Sequence, residues 1–100
     1  VSHKVSFTDG ALDDLRAAQA WYESKVPGLG VRFSESVLRQ ARSLEHMPEK
    51  YRLAHKDVHL CSVPKFPFEL YYKIEEKRVV ILVVHAVRQD PNFLSEKLIR

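Results

Sequence analysis

Residues 66–88 read FPFELYYKIEEKRVVILVVHAVR, and this stretch decides the fold. Phe68, Leu70, Tyr72 and Ile74 alternate with Glu69, Tyr71 and Lys73, the period of two that a half-buried strand imposes. Residues 79–84 are unbroken apolar and largely β-branched, the composition of an inner strand covered on both faces. The EEKR between them holds neither Gly nor Asn, which argues against a strict two-residue type I′ turn. The stretch therefore predicts a β-hairpin. His85 and Arg88 follow the apolar run and are the polar groups placed at the mouth of the sheet.

Outward from the hairpin, residues 58–63 predict a weaker strand closed by Pro64. Residues 48–57 read as a polar loop carrying Tyr51, Arg52, His55 and Lys56. Pro48 is expected to end a helix that starts near Leu29 and reaches about Met47. Its buried stripe is Phe33, Val37, Ala41 and Leu44, with Arg32, Glu35, Arg39 and Arg42 facing out. An earlier helix follows Thr8 as N-cap, with Asp9, Asp13 and Asp14 as charges at the positive end of its dipole. Ala11, Leu15, Ala18 and Tyr22 form its stripe, Trp21 sits at the edge, and Pro27 with Gly28 stops it. Residues 3–8 predict a short first strand, and residues 92–100 a closing helical turn or two. The order β-α-α-β-β-β-(α) predicts one α+β domain over residues 1–100. In it an N-terminal helical hairpin packs on a mostly antiparallel sheet of about four strands.

One hundred residues, 45% of them hydrophobic, suffice for one modest core. A net charge of +3 permits an acidic partner or nucleic acid without demanding either. Cys61 is the single cysteine, so no disulfide forms within the chain, which fits a cytoplasmic setting; mid-strand, it is expected to be buried and inert. Residues 1–10 hold no apolar signal-like run, and the longest strictly apolar run falls far short of the ~20 residues of a membrane helix. His55 and His59 lack a third ligand partner in sequence, and three glycines make no phosphate loop, so neither metal nor cofactor is expected. Arg88 reads either as a contact to a partner's carboxylate or as a surface charge paired with Asp90. His85 reads either as a hydrogen-bonded structural group or as a base.

Five pieces in order carry a resemblance. They are ALDDLRAAQAWYESKVPGLGVRF (11–33), PEKY (48–51), FPFELYYKI (66–74), VVHAVRQDP (83–91) and the order of elements itself. Together they resemble the RelE/ParE toxins of bacterial type II toxin–antitoxin modules, closer to ParE-like members. The resemblance implies a toxin neutralised by a cognate antitoxin, with DNA gyrase (ParE type) or ribosome-bound mRNA (RelE type) as target. Laid on this chain, the ribonuclease pattern puts Leu60 and Ser62 where lysines are needed and Glu69 where an arginine is needed. It keeps an arginine at Arg88 and puts Phe93 or Leu94 where a tyrosine is needed. The expectation is a gyrase-binding toxin that is not an enzyme and makes no direct contact with nucleic acid. Arg88, Lys65 and Lys73 are then candidates to touch the target, and Trp21 and Arg88 to touch the antitoxin. The alternatives are a ribosome-dependent mRNA endoribonuclease, with His85 and Arg88 as its catalytic candidates, or a degenerate member that binds antitoxin and poisons nothing.

Overall fold

The computed structural model describes residues 2–87. The elements are β1 (Lys4–Phe7), α1 (Asp9–Lys25), α2 (Leu29–Ser43), a 3-10 turn (Pro48–Lys50), β2 (Leu53–His55), β3 (Val58–Ser62), β4 (Phe68–Glu75) and β5 (Arg78–Ala86). The strands form one sheet in the order β1-β5-β4-β3-β2. β1 runs parallel to β5, and the other pairs are antiparallel. Arg88 and the proposed closing helix over 92–100 lie outside the described residues.

Thr8 caps α1 as its sequence position predicts: its Oγ1 accepts from the Ala11 N–H at 3.1 Å. Ala11 and Leu15 are buried, and Ala18 and Tyr22 pack against the same core. Gly28 caps α2 in a left-handed conformation at φ 87 and has no side chain to offer. The Glu23 carboxylate, still on α1, accepts instead from the N–H groups of Gly28 (2.9 Å) and Gly30 (3.0 Å). Two orphan donors at the start of α2 are thus satisfied from the preceding helix.

Three expectations need correction. α2 ends at Ser43, not near Met47, because Leu44 and Glu45 donate to Ala41 O and Arg42 O in tighter i→i−3 turns. Pro48 opens a 3-10 turn whose carbonyl accepts the Tyr72 hydroxyl at 2.6 Å inside the core. The polar loop after it contains a strand, so the sheet has five strands and not four. That strand, β2, is three exposed residues at the sheet edge, too short to carry an alternating pattern. The turn between β4 and β5 is two residues long with only Glu76 at positive φ (54), whereas a type I′ turn needs both.

The register between β4 and β5 breaks at one point. Tyr72 faces Ile81 while Tyr71 faces Val83, so Leu82 is an extra residue on β5. The bulge changes parity. Val79 and Ile81 point at the helices, and beyond Leu82 so does Val84. Val83 turns to the second face, where it is buried with Val58, Leu60 and Tyr71. The helix-side core adds Phe33, Val37, Leu44, Leu70 and Tyr72, all fully buried.

Candidate functional site

The second face of the sheet carries a polar row. Ser62 on β3 lies opposite Glu69 on β4, which lies opposite His85 on β5. Directly opposed side chains in such a row are neighbours. Tyr71, one position inward on that face, donates its hydroxyl to Glu69 Oε1 at 3.4 Å, and its ring meets the His85 ring edge-on at 5.7 Å. Burial, followed by the charge on Glu69, pushes the Tyr71 phenol up to about 12. At neutral pH Tyr71 is therefore a donor and no base. A hollow of about 350 Å³ opens beside the row, lined by Lys50, Arg52, Leu60, Ser62 and Glu69 among others.

This geometry does not resemble a phosphate cradle. The centre of the row is a carboxylate, its β3 neighbours are Ser62 and Leu60, and the cations Lys50 and Arg52 lie only along the rim. His85 is 5% exposed, so its ring is not presented to a large substrate.

The other sequence-nominated residues are not gathered at this row. Lys73 is also on the second face, towards the other end of β4, with its Nζ 3.9 Å from Asp57. Lys65 sits in the β3–β4 loop at positive φ and lines a separate groove against α2. Trp21 is 57% exposed on α1, its ring edge-on to Tyr22 at 5.1 Å with Lys25 Nζ 5.0 Å above it. Tyr22 joins helix to sheet as expected, against Phe33, Phe66 and Phe68. His59 stacks on Tyr72, and its Nδ1 lies 2.8 Å from Tyr51 O, while His55 is exposed on β2. Cys61 is buried, and desolvation pushes its thiol up to about 12. Arg88, Asp90, Phe93 and Leu94 lie outside the described residues.

Sequence reasoning missed the pairing of Glu69 with His85, because the bulge at Leu82 puts His85 on the face opposite the one its spacing from Val79 and Ile81 implies. It also read Asp14 as a helix-start charge, whereas Asp14 Oδ2 accepts from the backbone of Val84 on β5.

The order of elements, the five-stranded sheet with a parallel β1–β5 pair and the helical hairpin over one face point to a single comparison. Residues 5–91 match the family model for the ParE toxin of the type II toxin–antitoxin system parDE. The chain belongs to the ParE toxin family. Among solved structures it superposes on a chain of the chromosomal ParDE toxin–antitoxin system from P. aeruginosa. That match has a TM-score of 0.78 and 18% identity, over 86% of this chain and 97% of that one. It also superposes on a chain of the toxin–antitoxin complex RelBE2 from Mycobacterium tuberculosis, with a TM-score of 0.64 and 24% identity. That second match covers 86% of this chain and 99% of the other. No curated protein matches the chain. At these identities the likeness to both structures is a likeness of fold. No helix among the described residues of this ParE-family chain is long and apolar enough to cross a membrane.

Proposed function

We propose that this ParE-family toxin is neutralised by a cognate antitoxin and poisons by occupying DNA gyrase in the cytoplasm, not by cutting mRNA. The observation that carries the reading is Glu69. RNA cleavage needs cations around the scissile phosphate and a proton carrier on each side of it. Here a carboxylate holds the centre of the row, between Ser62 and His85, and it repels phosphate. The match to the parDE family model supports the same direction. Antitoxin contact is assigned to Trp21 and Arg88. Target contact is assigned to Arg88, Lys65 and Lys73, whose charges can pair with carboxylates on a protein surface.

The test is gyrase supercoiling and ribosomal mRNA cleavage, run side by side on the purified toxin. Inhibited supercoiling without mRNA cuts, relieved by the co-expressed antitoxin, is the expected result. Codon-positioned mRNA cuts that vanish in His85→Ala overturn it and make this chain a ribonuclease. No effect in either assay, with antitoxin still bound, marks a degenerate member.

A further inference from the structure

We propose that the groove between α2 and the β3–β4 loop is a docking site for a helical segment of a partner protein. That segment presents carboxylate, ammonium and carboxylate groups at positions i, i+3 or i+4, and i+7. The inference rests on the partner-binding reading above and deepens it: Lys65, assigned there to the target, lines this groove, which lies away from the row of Ser62, Glu69 and His85.

The groove, of about 330 Å³, is lined by Arg32, Glu35, Ser36, Arg39, Lys65 and Phe66, with Leu29 at one end. Arg32 and Arg39 are seven residues apart on α2, so they share one side of the helix about 10 Å apart along its axis. Glu35 falls between them. The wall therefore reads positive, negative, positive, with Lys65 a further positive charge across the gap. None of these four forms an ion pair with another described residue: the ion pairs among the described residues are Arg16 with Asp13 and Lys73 with Asp57.

The loop side of the groove is tied to the helix. Ser36 Oγ donates to Pro64 O at 2.7 Å, which ties the loop to the helix just before Lys65. Phe66 is half-buried, held edge-on to Phe33 and Tyr22 at 5.1 Å each. A fixed aromatic anchor beside arginines is the composition of an interface hot spot, and the ordering that opposes binding is that of the exposed charged side chains.

The charge order selects the occupant. A nucleic acid presents uniform negative charge, which answers the three cations but leaves Glu35 facing like charge. A helix carrying Glu, Lys and Glu at heptad spacing answers all three wall charges and can set an apolar side chain on Phe66.

The test is fluorescence anisotropy with three labelled probes: a helical peptide with Glu, Lys, Glu at i, i+4, i+7 around one leucine, its charge-inverted Lys, Glu, Lys counterpart, and a single-stranded oligodeoxynucleotide. The first peptide is expected to bind at least about tenfold tighter than the inverted one, and the double variant Arg32→Glu with Arg39→Glu is expected to reverse that preference. Both arginines are exposed, and circular dichroism checks the fold of the variant. If the double variant does not fold, Arg39→Glu alone must cut the preference at least about threefold. Equal binding of the two peptides, a preference unchanged in the variants, or an oligonucleotide that outcompetes the first peptide overturns the proposal. Because no antitoxin is used, failure here leaves the antitoxin assignment standing.

Discussion

Asp14 Oδ2 accepts a 3.1 Å hydrogen bond from the backbone N–H of Val84, 70 residues along the chain. β1 covers the outer edge of β5 only from Arg78 to Ile81. The cover then passes to α1 and its cap: Thr8 N–H donates to Ile81 O, Thr8 Oγ1 donates to Leu82 O, and Asp14 receives Val84. Asp14→Ala leaves that part-buried N–H without the carboxylate and is expected to lower stability by about 1–3 kcal/mol. Asp14→Asn, which keeps an acceptor oxygen, is expected to recover part of the loss. Urea denaturation of the two variants checks both.

At Gly30 α2 lies close against the backbone of α1. A Cβ there would lie 2.6 Å from the Gln19 carbonyl oxygen, which is backbone and cannot swing aside. Gly30→Ala is expected to destabilise by about 1–3 kcal/mol despite the better helix propensity of alanine. A lowered thermal midpoint is the readout, and an unchanged or raised midpoint would contradict the geometry.

Tyr72→Phe removes the hydroxyl that satisfies the Pro48 carbonyl inside the core. The ring fits unchanged, so the cost isolates one buried acceptor left unmade, about 1–3 kcal/mol. Chemical denaturation against wild type measures it.

High pH is expected to unfold the protein. Burial raises the Cys61 thiol from 9.0 to about 12, and burial with the Glu69 charge raises the Tyr71 phenol from 10.0 to about 12. Both folded-state values exceed the unfolded ones, so the unfolded chain releases these protons first. Their stabilising contribution is complete below pH 9.0 and is lost as pH climbs from there towards about 12. Cys61→Ala and Tyr71→Phe should each flatten the fall in stability over that window.

Much of this fold is legible in the sequence because it rests on local periodicity. The stripes Ala11, Leu15 and Phe33, Val37, Ala41, Leu44 are buried as their spacing requires, and the alternation in β4 assigns Leu70 and Tyr72 to the helix side. What escapes is set by contacts distant in sequence or by single-residue irregularities. β2 owes its place to pairing with β3 and not to its own composition. Leu82 gives no sign that it is the bulged residue, since any member of VVILVV could be, yet its position decides which face His85 joins. Glu23 looks like any exposed helix glutamate until the turn at Gly28 brings the start of α2 back to it. The groove charges at 32, 35 and 39 were visible as an outward face, but the loop that makes them a groove was not.

The parallel pairing of β1 with β5 also orders the molecule in time. The helical hairpin can close on local contacts, with Glu23 capping α2 across a turn of a few residues. The sheet cannot, because Lys4 to Phe7 pair with Arg78 to Ile81, strands at opposite ends of the described chain. On a translating ribosome the stripes of α1 and α2 therefore emerge before the strand that anchors β1, and both wait uncovered until β5 is released. A ParE-family chain built this way acquires its core, and with it any surface that could poison the cell, only once β5 has left the ribosome.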